Sequence, residues 1–310
     1  IDLSMLKGRL SFALDGYYYL TEDLLLDRPL PGNIGFTSIA DNVGSLENKG
    51  LELGIDAVIT DGELKWNSNF NISFNQNKIL ELYNGQPILN VGRGNNAVIE
   101  GEAIGVFYQW KSLGVDPSTG DLVFEDVDTN NEINDLDRQV VGNPNPDFTG
   151  GFTNNLAYKN FDLSMFFQFT YGNEIFNGVR QYAENMTFGE SDNQLASIKQ
   201  RWRQPGDIAP IPRIEGTFNN DITSHFIEDG SFLRLKNVTL GYNFSDELLA
   251  PMGLSNFRLY LTGQNLLTFT KYSGFDPEVN YSGIGSIRRG VDFFTFPLAR
   301  TITLGAKVSF

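Results

Sequence analysis

Between Glu63 and Asn77 the sequence ELKWNSNFNISFNQN alternates between apolar and polar side chains at nearly every position. The apolar side consists of Leu64, Trp66, Phe70, Ile72 and Phe74. The other side is almost entirely asparagine, serine and lysine. Successive side chains of a β-strand point to opposite faces, so the segment predicts a strand with one apolar face and one very polar face. A chain built from such strands must give each apolar face something other than water to contact.

The same two-residue period recurs along the chain and predicts eight long strands. They lie at about residues 7–20, 51–60, 63–77, 148–158, 161–171, 231–244, 257–270 and 298–310. The turns near Asp61, Lys159 and Ala250 are short or of modest length, whereas the links at 21–50, 79–148, 172–230 and 271–297 are long. Such alternation between strands of ~10 residues is typical of outer-membrane barrels. The predicted fold is all-β, a transmembrane antiparallel up-and-down β-barrel of the outer membrane.

The placement of aromatic residues favours the same fold. Tyr158, Phe161 and Phe310 fall at short-turn ends, and Tyr171 and Phe269 fall near long-link ends. Two aromatic girdles at these levels would meet the two membrane interfaces. One alternative is a soluble β-sandwich whose aromatics fill its core, although sandwich strands are usually shorter, about five or six residues. Another is a small closed barrel of eight strands filled by its own side chains.

Composition excludes several classes of function. A formal net charge of −15 argues against nucleic-acid binding, which needs a basic surface. The chain has no cysteine, and its single histidine, His225, makes a histidine-based zinc site or a Ser-His-Asp triad improbable. The 38 acidic residues are too many for spacing alone to identify a glycosidase pair. We therefore predict that the chain is not an enzyme.

Four stretches resemble the SusC/RagA family of TonB-dependent outer-membrane transporters. They are NVGSLENKGLELGI from Asn42, GNPNPDFTGGF from Gly142, DGSFLRLKNVTLGYNF from Asp229 and YLTGQNLLTFTKYSGFDPEVN from Tyr260. They follow one another in the family's order and at its C-terminal end, and the resemblance covers nearly all 310 residues. It implies that residues 1–310 are the C-terminal portion of a larger barrel of roughly 22 strands around a plug.

The resemblance also implies a function and a set of partners. Such transporters are integral to the outer membrane of Gram-negative, Bacteroidetes-like bacteria, and they import oligosaccharides or peptides. A SusD-like surface lipoprotein lids the barrel, and TonB drives displacement of the plug. By this resemblance the plug and the TonB-contacting segment are expected outside this chain.

Residues Asp126 to Asp137, DVDTNNEINDLD, match the spacing of a calcium-binding loop. The candidate ligands are Asp126, Asp128, Asn130, the backbone carbonyl of Glu132, and Asp137. Oxygen ligands at alternate positions let one turn wrap a cation that prefers six to eight oxygens. Asn131 replaces the usual glycine at position six, and Asp137 is shorter than the usual glutamate. The alternative is an acidic, solvated loop with Asx turns.

Four aromatic residues of the long links are candidates for contact with substrate or with the lid protein: Trp110, Trp202, Tyr272 and Phe275. Aromatic rings there could stack on sugars, whereas the alternative is packing of the links against themselves. Two other functions stay open at this point: a passive or structural small barrel, and a soluble extracellular glycan-binding module. No cofactor other than a calcium ion is expected.

Overall fold

The computed structural model describes the chain except for residues 31–34, 37, 43, 186–191, 215, 217, 218, 284 and 286. These residues lie within the links predicted at 21–50, 172–230 and 271–297, so those parts of the links fall outside the described residues. The strands are β1 (Asp2–Met5), β2 (Leu10–Thr21), β3 (Leu25–Pro29), β4 (Ser38–Asn42), β5 (Gly44–Asp61), β6 (Leu64–Leu82), β7 (Ile88–Val91), β8 (Asn96–Val98), β9 (Val106–Trp110), β10 (Ser112–Val115), β11 (Leu122–Phe124), β12 (Arg138–Gly142), β13 (Phe148–Tyr158), β14 (Phe161–Tyr171), β15 (Glu174–Asn177), β16 (Ile227–Asp229), β17 (Phe232–Asn243), β18 (Asn256–Thr270), β19 (Val291–Asp292) and β20 (Thr301–Ser309).

Helices are few and short. The α-helices are α1 (Gly178–Ala183) and α2 (Asp246–Leu249), and the 3-10 turns are Leu6–Gly8, Tyr83–Gly85, Asp135–Asp137, Ala196–Gln200, Ser224–Phe226 and Ala250–Met252. None of these helices has the length and apolar character needed to cross a membrane.

Nine strands form one antiparallel sheet, which we call the wall. Their order is β1-β2-β5-β6-β13-β14-β17-β18-β20. All eight predicted long strands are present, and β1 adds a four-residue strand at one edge. Several wall strands are much longer than the five or six residues usual in soluble sheets; β6 has 19 residues. The described strands end at β1 and β20 without pairing to each other, so within this chain the wall is open rather than a small closed barrel.

The links alternate in length, as the sequence predicts. Strands β5 and β6, β13 and β14, and β17 and β18 are joined at one end of the wall by residues 62–63, 159–160 and 244–255. The links at the other end are 22–43, 83–147, 172–231 and 271–300, which we call the loop layer. The tightest turn places Lys159 at φ 53, and the Asn160 side chain donates to the Asn243 carbonyl at 2.7 Å. A two-residue turn of this kind fixes the register of the strands that it joins.

The register of the strands pairs apolar residues with apolar residues and polar residues with polar residues across the wall. One row of paired residues consists of Trp66, Leu156, Leu163, Leu240, Leu261 and Leu304. The adjacent row consists of Asn67, Asn155, Ser164, Thr239, Thr262 and Thr303. Because the two rows are one residue apart, they lie on opposite faces of the wall. The wall therefore has an apolar face and a polar face across six strands.

The apolar face is uncovered in this chain. Leu240 and Leu261 are each 47% exposed, and Leu304 is 78% exposed. On the polar face, by contrast, neighbouring side chains hydrogen-bond to each other. The Ser164 hydroxyl donates to Asn155 Oδ1 at 2.7 Å, and the hydroxyls of Thr239 and Thr262 lie 3.0 Å apart. A soluble sandwich would bury the leucine row, so this arrangement contradicts that alternative.

Glycines in the wall make room for aromatic rings of the neighbouring strand. A Cβ atom on Gly305 would lie 2.3 Å from the ring of Tyr260, its paired residue on β18. Gly50 stands in the same relation to Tyr17, at 2.4 Å. The glycine that interrupts the closing strand TITLGAKVSF is thus required by the ring that lies across it.

The buried apolar residues are concentrated in the loop layer and at the adjoining strand ends. One cluster consists of Leu26, Ile79, Leu82, Ile88, Val98 and Ile104, and a second consists of Phe107, Phe176, Phe226 and Val291. The second cluster brings together the links 83–147, 172–231 and 271–300, each of which contributes at least one ring or branched side chain. The long links therefore pack into a folded body with its own core, reinforced by the four-stranded sheet β12-β9-β8-β7 and the three-stranded sheet β16-β15-β19.

Candidate functional site

A buried ion-pair network fastens the last link to the wall. Arg234 on β17 is 2% exposed and donates to Asp276 and, at 3.2 Å, to Glu278. The backbone N–H groups of Glu278 and Leu298 donate to Asp276 at 2.9 and 3.0 Å. Burial pushes the pKa of Asp276 upward, but these hydrogen bonds outweigh burial and leave the pKa below its usual value. Asp276 is therefore ionised and paired, and it fixes the start of the link 271–300.

The predicted calcium loop brings three of its candidate ligands together. Carboxylate oxygens of Asp126, Asp128 and Asp137 lie within 4.8 Å of one another. Asn131 adopts φ 65, the left-handed conformation that this position requires. Its backbone N–H donates to Asp126 Oδ2 at 2.8 Å. The loop thus has the wrapped backbone that the spacing predicts.

Backbone hydrogen bonds hold the closing residue of this loop. Asp137 is fully buried and accepts from the N–H groups of Asn134 and Val127, each at 2.8 Å. The bond from Asn134, joined by the other backbone bonds and opposed by desolvation, lowers the pKa of Asp137. Asn130 Oδ1 accepts from Glu132 N–H at 2.6 Å, and the Glu132 carbonyl accepts from Asn134 Nδ2 at 3.3 Å. These two candidate ligands lie in the loop but are engaged in its internal hydrogen bonds.

The donor set fits a hard cation. Among the described residues no lysine or arginine forms an ion pair with Asp126, Asp128 or Asp137, so three carboxylates face one another without a counter-charge. Carboxylate and amide oxygens are the ligands that Ca²⁺ prefers.

The four candidate aromatic residues differ in what they offer a ligand. Trp110 is buried, packs on Phe124, and donates through Nε1 to the Asn134 carbonyl at 2.6 Å. Tyr272 is buried and donates to Asp292 at 2.7 Å; burial, followed by this bond, raises the pKa of Tyr272. These two rings are engaged in packing of the loop layer.

The other two candidates are more accessible. Trp202 is partly exposed, and its Nε1 donates to the Pro117 carbonyl at 2.9 Å. Phe275 is 73% exposed and stands at the mouth of a cavity of about 520 Å³. Of the four side chains, Phe275 therefore presents the most free surface.

A larger cavity, of about 650 Å³, lies where the wall meets the loop layer. Its polar lining includes Tyr17, Asn75, Asn77, Asn145 and Asp147. Asn77 Oδ1 accepts from Ile104 N–H at 2.7 Å, and Asn145 Nδ2 donates to the Ile104 carbonyl at 3.0 Å. Sequence reasoning missed this site, although the asparagines on the polar parity of β6 were a signal for it.

Comparison with known proteins identifies relatives of the chain. No protein-family model matches the chain. The chain is 38% identical to TonB-dependent receptor P3 of Formosa agariphila, and it is 29% identical to TonB-dependent receptor SusC of Bacteroides thetaiotaomicron. Each alignment covers the whole chain, but only 33% and 31% of the respective receptor. The solved structure of the RagAB peptide transporter superposes with a TM-score of 0.86 at 28% identity, covering 100% of this chain and 34% of that one.

Along its whole length the chain is similar to TonB-dependent receptors, SusC among them, and to the RagAB transporter, which confirms the resemblance predicted from the sequence motifs. It spans about a third of the length of the relatives it matches. The wall is accordingly part of an outer-membrane β-barrel, which confirms the predicted fold class. That the chain is the C-terminal portion of the barrel, with the plug elsewhere, stays a prediction. The matched relatives are named receptors and transporters rather than enzymes.

The SusC/RagA motifs of the sequence have structural roles in this chain. Gly50, in the first motif, lies under the Tyr17 ring, and Asn145, in the second, holds Ile104. Arg234 in the third motif pairs with Asp276 in the fourth. Of these contacts, Gly50–Tyr17 lies within the wall, Asn145–Ile104 lies within the link 83–147, and Arg234–Asp276 joins the wall to the link 271–300.

Proposed function

We propose that the complete protein is an active importer of oligosaccharides or peptides in the outer membrane. The observation that carries the proposal is the pair of aligned rows, one apolar and one polar, on a wall whose long links form a single folded layer. An apolar face of this extent suits contact with the acyl chains of lipids. In the complete protein, closure of the sheet into a barrel would leave no backbone group unpaired in the membrane. The polar face would then line the lumen, beneath the loop layer.

Import, rather than passive diffusion, is supported by the names of the relatives. Two are TonB-dependent receptors, and a matched structure is that of a peptide transporter. We infer that TonB acts through a segment outside this chain and that a SusD-like lipoprotein lids the loop layer. Cargo would load from outside, the lid would close, and plug displacement would open the path inward. In this scheme the protein is integral to the outer membrane of a Bacteroidetes-like bacterium.

The 650 Å³ cavity is the cargo-contacting surface that we favour within this chain. Carboxamides such as Asn75 and Asn77 both donate and accept, so they match sugar hydroxyls and peptide bonds alike. The lining also includes Lys49, Lys78, Glu102 and Asp147, whose formal charges cancel, so the cavity supports a polar cargo without choosing between the two classes.

Uptake by whole cells tests the proposed function. The probes are fluorescently labelled forms of the oligosaccharides or peptides on which the cell grows. Deleting the gene for the complete receptor should abolish their uptake, and adding a protonophore to wild-type cells should do the same. The protein should fractionate with the outer membrane and bring a surface lipoprotein with it on purification. Uptake that persists without a proton gradient would instead support a passive barrel, and recovery in the soluble fraction would contradict both barrel proposals.

We further propose that residues 126–137 bind Ca²⁺ and that the ion rigidifies this part of the loop layer. The ion would offset two of the three negative charges of the facing carboxylates, with Asn130 Oδ1 and the Glu132 carbonyl as further oxygens. Trp110 links the loop to the core, because its Nε1 donates to the Asn134 carbonyl. An ion that orders the loop would therefore also stabilise the position of Trp110 at the end of β9.

Isothermal titration of the complete receptor with CaCl₂ checks the calcium site. We expect one site with a Kd on the order of 10⁻⁴–10⁻³ M, the range of extracellular calcium modules. Asp128→Ala should remove the heat of binding. Asp135→Asn is the matched control, because Asp135 is in the same loop but 85% exposed and paired with Arg138. Equal titration curves for wild type and Asp128→Ala would reject the site.

A further inference from the structure

The cavity behind Phe275 is separate from the carboxamide-lined cavity and has a different chemistry. It has a volume of about 520 Å³ and lies between α1, the 3-10 turn Ala196–Gln200 and residues 273–275. Its apolar lining includes Val179 and Ile211. Two links of the loop layer, 172–231 and 271–300, therefore supply the walls.

The charged groups that line this cavity do not balance. They are Arg180, Glu184 and Glu228, so two carboxylates and one guanidinium leave a formal charge of −1. Arg180 lies 3.1 Å from Glu184 and 2.9 Å from Glu228, and both glutamate side chains are largely buried. In a partly desolvated cavity this excess negative charge attracts a cation more strongly than it would in water.

Among the neutral groups around these carboxylates, two hydroxyls present acceptors, whereas Asn177 Nδ2 and the Ser273 N–H donate to Glu228. The Ser197 hydroxyl donates to Glu184 at 2.7 Å, and the Ser273 hydroxyl donates to Glu228 at 2.8 Å. A hydroxyl whose hydrogen is used in this way offers a ligand only its lone pairs. The cavity thus favours a ligand group that carries positive charge and donates hydrogen bonds.

The mouth of the cavity suits the same kind of group. Phe275 is 73% exposed, and the face of an aromatic ring attracts a cation. An ammonium group has three donors and no acceptor, which matches this combination of ring, hydroxyl and carboxylate. Guanidinium is bulkier, and Arg180 already supplies one.

We propose that this cavity binds an ammonium group carried by the cargo, either the free amine of a peptide or the amine of an unacetylated amino sugar. The proposal rests on the proposed import function for its cargo, but it concerns a binding step that needs neither TonB nor the lid. The site would select amine-bearing cargo at the loop layer, whereas the carboxamide cavity contacts the cargo's neutral backbone.

Calorimetry on the complete receptor in detergent tests the proposal with four probes. They are the peptide Ala-Lys-Ala, the same peptide with both amines acetylated, the glucosamine disaccharide chitobiose, and its diacetylated form. At least one free-amine probe should bind, and its acetylated form should bind at least ~10-fold more weakly. The pair that shows this difference identifies the source of the amine.

Substitutions locate the site. Glu228→Gln keeps the shape of the side chain and removes one negative charge, so it should weaken binding of the amine-bearing probe at least ~10-fold. Phe275→Ala should weaken it as well, and because that ring is exposed the variant keeps its fold. Glu247→Gln removes the same charge from the exposed turn at the other end of the wall and should leave binding unchanged.

Equal binding of free and acetylated probes, absence of binding by all four, or full binding by both Glu228→Gln and Phe275→Ala would overturn the proposal. Receptor-dependent uptake in the absence of amine selectivity would reject only this inference. Amine-selective binding that depends on Glu228, by a receptor whose deletion leaves uptake unchanged, would support the site and reject the import function.

Discussion

Replacing Arg234 by methionine is expected to lower the free energy of local opening of the link 271–300 by about 3–5 kcal/mol, because the change leaves Asp276 as a buried carboxylate without its cationic partner. Arg234 is 2% exposed, so water cannot take over its role. Local opening of the link should then dominate hydrogen exchange. Protection of its backbone amides in the complete receptor should fall by roughly two to four orders of magnitude.

Two further variants make this result specific. Lys236→Met removes a partly exposed ion pair with Glu278, whose side chain is 35% exposed, and should cost only about 0–1 kcal/mol. Combining Arg234→Met with Asp276→Leu removes both buried charges and should restore much of the protection. Equal loss of protection in Arg234→Met and Lys236→Met would contradict the role assigned to the buried pair.

Leu304→Arg is expected to impair assembly of the barrel, since it places a charge on the face assigned to lipid. Charged substitutions on that face cost about 2–4 kcal/mol at the membrane midplane and less near the interfaces. Thr303→Arg is the matched control, because it adds the same side chain to the polar face one residue earlier. We expect folded barrel, measured by its faster gel migration before heating, to decrease for Leu304→Arg and to be retained for Thr303→Arg.

The opposite result would have a clear meaning. Folded protein that is lost with Thr303→Arg and kept with Leu304→Arg would show that the leucine row faces water and the threonine row a packed interior. That outcome would reverse the assignment of both faces, and with it the membrane location in the proposed function.

The wall could be predicted from the sequence because its determinants are local. A period of two residues assigns each side chain of β6 to a face, and the short turn at Lys159 fixes how β13 meets β14. The close approach of Asp126, Asp128 and Asp137 was predictable for the same reason, since they lie within twelve consecutive residues, whereas calcium binding by them stays a prediction. Asn131 even has the backbone conformation expected of its position.

The loop layer could not be predicted in this way, because contacts distant in sequence determine its structure. Arg234 and Asp276 are 42 residues apart, and neither neighbourhood indicates that the two will pair. Trp110 is a residue type that often stacks on ligands, and the sequence alone therefore suggested that role. The structure instead shows that Phe124 packs on its ring and that the Asn134 carbonyl accepts its hydrogen bond. From the sequence, the links could be recognised only as long segments. In the structure they contain most of the buried apolar residues.

The leucine row also bears on how the protein reaches its final place. A continuous hydrophobic stripe from Trp66 to Leu304 would make prefolded copies stick to one another in an aqueous compartment. Covering this apolar face while the strands pair would prevent such contacts between copies. The loop layer buries apolar residues of its own, so its core does not depend on what covers the leucine row.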